Sequence, residues 1–349
     1  MNALQIMPAS TSSNRVRYLE IAPEHTGQRL DNFLLRELKG APKSLIYRIL
    51  RTGEVRLNGG RVQPRHRLQT GDVLRIPPLR LAEPDDRPFH PPSGLAERLR
   101  AAVIYEDRDL LALDKPAGLA VHKGSGVDYG IIEILRALRP EEPFLELAHR
   151  LDRETSGCLM LARTPTALRH IQEAFRDGRV EKRYLALARG HWNLGAHEVN
   201  QPLRRNILRG GERMVEALDD GKPALTRFRP VSLHATASLL EVRIATGRTH
   251  QIRVHAAHIG YPLAGDDKYG DAVFNRTMAE GYGLRRLFLH AHSLNLPLGG
   301  REIAVSAPLD AELKAVLDLL GSAKPRGHSS NLSSPWPASP ARGKRSFKR

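Results

Sequence analysis

A single cysteine, Cys158, in 349 residues leaves no partner for an internal disulfide and no cysteine-rich zinc site. Long apolar runs are missing too: no stretch approaches the ~20 residues that a bilayer-spanning helix needs. The start from Met1 to Glu20 is polar and lacks the apolar core of a signal sequence. A soluble, cytoplasmic protein with no membrane partner is expected. Acidic residues are in the minority, with 38 Asp and Glu against 54 Lys and Arg, for a net charge of +16. Such a surplus selects polyanions, nucleic acid before membrane surface, through counterion release and steering. Apolar residues, at 41%, supply a sizeable core, and the length fits two domains.

The basic excess sits at the two ends. Residues 27–76 hold 11 Lys and Arg against 4 acids, and residues 321–349 hold 7 with no acid, so the middle is nearly balanced. Residues 1–26 read as an N-terminal extension. In 27–76, Leu30, Phe33, Leu34 and Leu38 share one helical face; a second helix turns Leu45, Ile46, Ile49 and Leu50 inward and ends at Gly53. Val55 and Leu57 then alternate with polar residues, Asn58-Gly59-Gly60 turns the chain, and 72–76 alternates again. Residues 77–100, rich in proline at first, read as a linker. A second domain of strands and helices fills 101–320. The Ser, Pro, Gly and Arg-rich tail at 321–349 cannot form a core and is expected to be disordered.

The outer face of the second helix carries Lys43, Tyr47, Arg48 and Arg51, continued by Arg56, Arg61, Arg65 and Arg67. Arginine outnumbers lysine 9 to 2 across the module, and its planar fork suits phosphate oxygens. A solvated helix face is the alternative; the scarcity of nearby acids favours RNA contact. The wording Arg29-Leu30-Asp31, Pro42-Lys43-Ser44 and Gly53-Glu54-Val55-Arg56-Leu57-Asn58-Gly59 resembles the S4 RNA-binding domain, which packs two helices on a small sheet.

Three segments of the second domain carry chemistry. In His149-Arg150-Leu151-Asp152-Arg153, an acid stands between two arginines, and a nearby cation would keep its carboxylate ionised. That is what a nucleophilic aspartate needs; pairing or capping in a turn is the structural alternative. A helix starting at Thr164-Pro165 stops at Asp177-Gly178. In the strand that follows, Lys182, Tyr184 and Ala186 share a face. Tyr184 there could stack on a base, move a proton, or simply belong to the core. In Thr246-Gly247-Arg248-Thr249-His250-Gln251-Ile252-Arg253, Thr249 is the expected N-cap of a helix. Its positive end with Arg248 would form an anion site, and Arg253, one turn in, would lie on the face of His250 and Ala257, away from the Ile252 stripe.

Together, His149-Arg150-Leu151-Asp152, Lys182-Arg183-Tyr184 and Gly247-Arg248-Thr249-His250-Gln251-Ile252-Arg253 closely resemble the motifs of the RluA-type pseudouridine synthases. Lys115-Pro116-Ala117-Gly118-Leu119, Gly265-Asp266-Asp267-Lys268-Tyr269-Gly270 and Leu289-His290-Ala291-His292 support the match, which spans about residues 20–315. The resemblance implies an α+β protein: an S4-like αα-β module joined to a domain with a large mixed, mainly antiparallel sheet flanked by helices and loops. It implies isomerisation of uridine in large-subunit (23S) ribosomal RNA or a pre-ribosomal particle, by a monomer, with no cofactor and no metal. By the same resemblance Asp152 is the catalytic carboxylate, adding to the sugar carbon or supporting proton removal from the ribose. Arg253 pairs with Asp152, and Tyr184 lies against the uracil and handles its C5 proton. Arg150, Arg153 and Arg248, with Lys43, Arg48, Arg51 and Arg56 of the small module, are the expected RNA contacts. Two rivals stand: a zinc hydrolase built on His250, His255, His258 and the His290/His292 pair, and an assembly factor with a decayed site.

Overall fold

The computed structural model describes residues 15–38, 41, 43–79, 91–123, 129–209 and 212–321. The chain divides into two compact units, Met1–Pro88 and Phe89–Arg349. In the first, β1 (Arg17–Glu20) is followed by helices α1 (Leu30–Glu37) and α2 (Lys43–Thr52), then by β2 (Arg56–Leu57), β3 (Gly60–Arg61) and β4 (Val73–Ile76). The antiparallel sheet runs β1-β4-β2-β3. Leu30, Phe33 and Leu34 of α1 and Ile46, Ile49 and Leu50 of α2 are buried, because spacings of three and four put each set on one face. Val55, Leu57, Leu68, Leu74 and Ile76 complete the core, each such side chain contributing roughly 1.5–3 kcal/mol on leaving water. Asn58 and Gly59, both at positive φ, make the tight turn between β2 and β3.

Two expected boundaries move. The sequence predicts an extension up to residue 26, yet Arg17–Glu20 pairs along all of β4. Four residues are too few to show a period, and the backbone bonds that recruit them belong to β4. The predicted linker 77–100 ends in a helix, α3 (Ser93–Ala101), whose Ala96 and Leu99 are buried. Pro92 is its N-cap, so the late prolines start a helix rather than extend a spacer. Residues 80–90 and 322–349, the rest of the predicted linker's proline-rich part and nearly all of the basic tail, lie outside the described residues.

The large unit continues with β5 (Val103–Glu106), β6 (Leu110–Lys115), α4 (Ile131–Leu138), β7 (Glu146–Leu147), β8 (Ser156–Ala162), α5 (Pro165–Arg176) and β9 (Glu181–Arg189). Then come β10 (His197–Asn200), the hairpin β11 (Leu203–Arg209) and β12 (Glu212–Ala217), β13 (Leu225–Leu233) and β14 (Ala237–Ile244). Helices α6 (Gln251–His258) and α7 (Ala272–Tyr282), strands β15 (Leu289–Leu298) and β16 (Arg301–Ser306), and α8 (Ala311–Leu320) complete it. The main sheet runs β10-β13-β14-β9-β15-β8-β6-β5, with β16 on β15 and β7 on β8. Its pairs are antiparallel except β15 with β8. The class is α+β, with a mixed, mainly antiparallel sheet.

Both faces of this sheet are covered, which is why β6 and β8 are continuously apolar. Leu110, Ala112, Cys158 and Met160 pack toward α5 with Ile171 and Ala174. Leu111, Leu113, Leu159 and Leu161 pack toward α3 and α4 with Leu99, Ile131 and Leu135. The parallel pair sets His290 opposite Ser156 and Ala291 opposite Gly157. Gly157 has φ 103, and a Cβ there would meet the Ala291 carbonyl oxygen at 2.3 Å. Only glycine lets β8 run this close to β15 immediately after the loop that carries Asp152.

Candidate active site

The loop 148–155 is anchored on both sides of Asp152. Leu151 is buried in the core and Thr155 is buried behind it, so Asp152, half-buried between them, faces the other way. From below, the last residue of β6 clamps the loop. Lys115 is fully buried, and its Nζ donates to the carbonyls of Pro116, Leu119 and Arg153, each at 2.9 Å. The Gly118 amide also donates to the Arg153 carbonyl at 2.9 Å, and Arg153 Nε donates to the Gly118 carbonyl at 3.0 Å. Three carbonyls around one nitrogen call for the ammonium form. Burial opposes it and lowers the Lys115 pKa to about 7, against the pull of Glu154 and Asp152.

Asp152 lines a pocket of about 90 Å³ together with Arg150, Tyr184, Arg248, His250 and Arg253. Its carboxylate makes no ion pair or hydrogen bond among the described residues. The neighbours that flank it in sequence do not pair with it. Arg150 is exposed at the rim; Arg153, also exposed, lies 3.4 Å from Glu154 and ties the loop down through Nε.

Arg253 differs most from expectation. Rather than projecting from a polar face, it is buried, as are all residues from Gln251 to Ala256. Its Nε and Nη2 donate to Asp266 at 2.7 and 2.6 Å, a bidentate pair, so the predicted Arg253–Asp152 pairing is not made. Burial works against its charge, but the hydrogen bonds and charge of Asp266 raise its pKa, with Asp152 adding to them. Nη1 remains for the pocket.

Tyr184 projects from β9 into the same pocket. Burial first, and then the negative charge of Asp152, push its pKa well above the usual phenol range. It stands there as a neutral phenol.

The N-terminus of α6 is also built differently. Its N-cap is His250, in the left-handed region at φ 53, not Thr249. Gln251 turns its own Oε1 back to accept from the Arg248 amide at 3.0 Å and from Thr246 Oγ1 at 2.7 Å. These bonds brace the turn before α6 and leave its first amides without a side-chain cap; Arg248 is exposed at the rim, with Nε donating to the Pro223 carbonyl at 3.1 Å.

The histidines are individually engaged. His255 lies between Thr226 Oγ1 and the Gln201 carbonyl, at 2.8 and 2.9 Å. His290 lies between Ser156 Oγ and the Ala307 carbonyl, at 2.9 and 3.0 Å, and His292 turns to the same carbonyl. Among the described residues, no three metal-ligating side chains cluster. His149 accepts the Met160 amide at 3.0 Å, and burial lowers its pKa to about 4, a neutral strut for β8. Lys115, Asp266 and Tyr269 have roles here that no local pattern assigns. The one local sign is a lysine closing the apolar run of β6, a charge where burial is expected.

In the small unit, Arg48 and Arg51 lie exposed on α2 as predicted from the periodicity. The side chain of Lys43 lies outside the described residues. Tyr47 is partly exposed, but its hydroxyl donates to buried Asp31 at 3.0 Å. Arg56 Nε donates to the Gly53 carbonyl at 2.9 Å, holding its guanidinium at the end of α2.

Comparison with known proteins agrees with this geometry. The model of the RNA pseudouridylate synthase family matches residues 109–258, and that of the S4 domain residues 28–74. The ribosomal large subunit pseudouridine synthase C of Haemophilus influenzae is 49% identical over 314 residues, which cover 89% of this chain and 97% of that protein. Its namesake in Escherichia coli K12 is 48% identical over 317 residues, covering 90% and 99%. Among solved structures, human RNA pseudouridylate synthase domain containing 4 aligns with a TM-score of 0.55 at 27% identity, over 65% of this chain and 95% of its own.

Proposed function

This chain belongs to the RNA pseudouridylate synthase family, and from that premise we propose that it isomerises uridines of large-subunit (23S) ribosomal RNA, with Asp152 as the catalytic carboxylate. The observation that carries the assignment is Asp152 itself: a half-buried acid in a pocket, with no partner of its own among the described residues. The relatives named for ribosomal large subunit modification, with nearly their whole length matched, support the choice of RNA.

The reaction breaks the bond from uracil N1 to ribose C1′, turns the base in place, and joins C5 to C1′. The hydrogen leaves C5 and N1 ends protonated, so product and substrate are isomers and no external group is consumed. Asp152 acts at the ribose. Tyr184 lies against the base, its hydroxyl the group at hand to pass on the hydrogen that leaves C5, and the guanidinium edge of Arg253 left free by Asp266 holds the everted nucleoside. Reaching a base inside folded RNA requires extrusion at a cost of a few kcal/mol. Arg150 and Arg248 at the rim offset this by phosphate contact, and Arg48, Arg51 and Arg56 of the S4 module supply sequence-independent affinity. Arg153, tied to Gly118 through Nε, shapes the loop and offers its exposed guanidinium to the RNA backbone. The enzyme works as a monomer, in the cytoplasm. Asp152→Asn should abolish pseudouridine formation in rRNA while leaving RNA affinity nearly unchanged; activity retained by this variant would overturn the assignment.

A further inference from the structure

We propose that His250 is a further catalytic residue of the pocket: a neutral imidazole that donates its Nε2 hydrogen to a carbonyl oxygen of the everted uracil, held in that tautomer by Tyr269 and the hairpin β11/β12. The proposal deepens the pseudouridine-forming reading above and rests on it.

His250 holds its backbone at φ 53, ψ 20, a left-handed conformation that a non-glycine residue keeps only when its surroundings impose it, and such residues gather at functional sites. What imposes it here is a chain of contacts. Asp266, paired with Arg253, accepts the Tyr269 amide at 3.0 Å. The Tyr269 ring lies under the Arg253 guanidinium, 5.1 Å from centroid to Cζ. The Tyr269 hydroxyl then meets two partners, the Val215 amide of β12 at 3.1 Å and His250 Nδ1 at 2.8 Å.

The hydrogens on this chain can be counted. The Val215 amide can only donate, so the tyrosine oxygen accepts from it. We assign the single hydroxyl hydrogen to His250 Nδ1; the one donor then without a protein partner is the imidazole's own, on the pocket side, where substrate can take it up. Nδ1 being an acceptor, the imidazole carries its hydrogen on Nε2. Among the described residues Nε2 has no protein partner, and His250 lines the pocket beside Asp152. Burial also favours the neutral ring by lowering the pKa, with Asp152 and Asp266 opposing and Arg253 and Lys268 assisting.

A fixed N–H donor in this place has a chemical use. When the N1–C1′ bond breaks, its electron pair leaves with the base, and the negative charge spreads onto the uracil carbonyl oxygens. A donor aimed there stabilises the departing base without giving up its hydrogen, so the ring ends as it began. Stabilisation of that kind is strongest when the donor is positioned beforehand.

Two measurements test this on the full-length protein. Imidazole nitrogen–hydrogen correlation spectra, with the His250 signal identified by its absence in His250→Gln, should show a neutral ring with hydrogen on Nε2 at neutral pH. Tyr269→Phe should turn that signal into a tautomer mixture. Hydrogen on Nδ1, or an imidazolium, would overturn the proposal whether or not the protein is active on rRNA. In single-turnover assays on rRNA, His250→Ala should lower kcat by about a hundredfold, the loss seen when one such donor is removed. His250→Gln, whose amide nitrogen reaches the place of Nε2, should recover about tenfold of it. His250→Asn, which tolerates the left-handed backbone but falls short of the base, should stay as low as the alanine variant. Full activity in His250→Ala, or equal rates for Gln and Asn, would reject His250 as the donor. An inactive wild-type protein would instead count against the rRNA reading.

Discussion

Arg253 and Asp266 form a buried bidentate pair in the wall of the Asp152 pocket, with Asp266 fully withdrawn from solvent. The pair does more than neutralise a charge. Asp266 Oδ1 also accepts the amides of Lys268 and Tyr269, each at 3.0 Å, so one carboxylate fixes the arginine and the loop that carries Tyr269. Removing it leaves a buried guanidinium uncompensated, a loss of about 3–5 kcal/mol. Asp266→Ala should therefore lower stability by that order in chemical denaturation, and Asp266→Asn by less. A change within about 0.5 kcal/mol, the level of ordinary surface substitutions, would contradict the role given to the pair.

Lys115 predicts a pH effect that separates activity from stability. Its folded-state pKa, about 7, lies below the ordinary 10.5, so the unfolded chain binds more protons between those values. Over that window this group favours folding increasingly as pH rises. The clamp on the Arg153 carbonyl nevertheless weakens, because an amine has fewer hydrogens than the three acceptors need. The rate of pseudouridine formation should fall as pH rises through about 7 while the melting temperature does not. Lys115→Met should be slow and insensitive to pH over the same range. A flat wild-type profile would refute the clamp.

Asp114 carries the opposite sign. Burial, with Asp310 nearby, raises its pKa from 3.8 to about 6 despite the attraction of Arg286. The stability tied to its protonated form is complete below 3.8 and is lost as pH rises through about 6. At neutral pH the ionised carboxylate is a cost of about 1–3 kcal/mol, after discounting for its partial exposure. Asp114→Asn should raise the melting temperature at neutral pH, and the gain should vanish in acid. A gain of equal size at both would point to another cause.

Gly157→Ala tests the strand approach beside the loop that carries Asp152. The new methyl group meets the Ala291 carbonyl oxygen at 2.3 Å, so β8 and β15 must part or shift. A stability loss of about 3 kcal/mol is expected. Displacing Asp152 by even an ångström should also cut turnover by about a hundredfold in the fraction that stays folded. Wild-type turnover at unchanged stability would show that the close approach is dispensable.

The exposed α2 face predicts a salt signature. Replacing Arg48 and Arg51 by alanine should weaken RNA binding uniformly across sequences. It should also reduce the slope of log affinity against log salt by about 2, one for each phosphate that is no longer neutralised. Turnover on saturating RNA should hold. An unaltered slope would move the RNA-binding surface to another face.

Much of this layout is legible locally. Thr164 caps α5 through its hydroxyl and Asp177 ends it, at the residues the capping pattern predicts. Tyr184, Ala186 and Ala188 share one face of β9 and Leu185 and Leu187 the other, as a period of two requires. Less legible is β1, too short to display a period. Helix α6 misleads, because its first six residues, Gln251 to Ala256, are buried all round and leave no polar face from which to read the direction of Arg253.

Sequence alone determined the modules, the helical and strand faces, the basic surface of α2 and the motif that places Asp152, because each depends on neighbours within a turn or two of backbone. Tertiary structure alone decided the partners: Arg253 with Asp266, Lys115 with the Arg153 carbonyl, His250 with Tyr269 and the hairpin. A buried charge or hydrogen-bonding group takes whichever complement the packing of distant segments brings within about 3 Å, and no spacing along the chain records that choice.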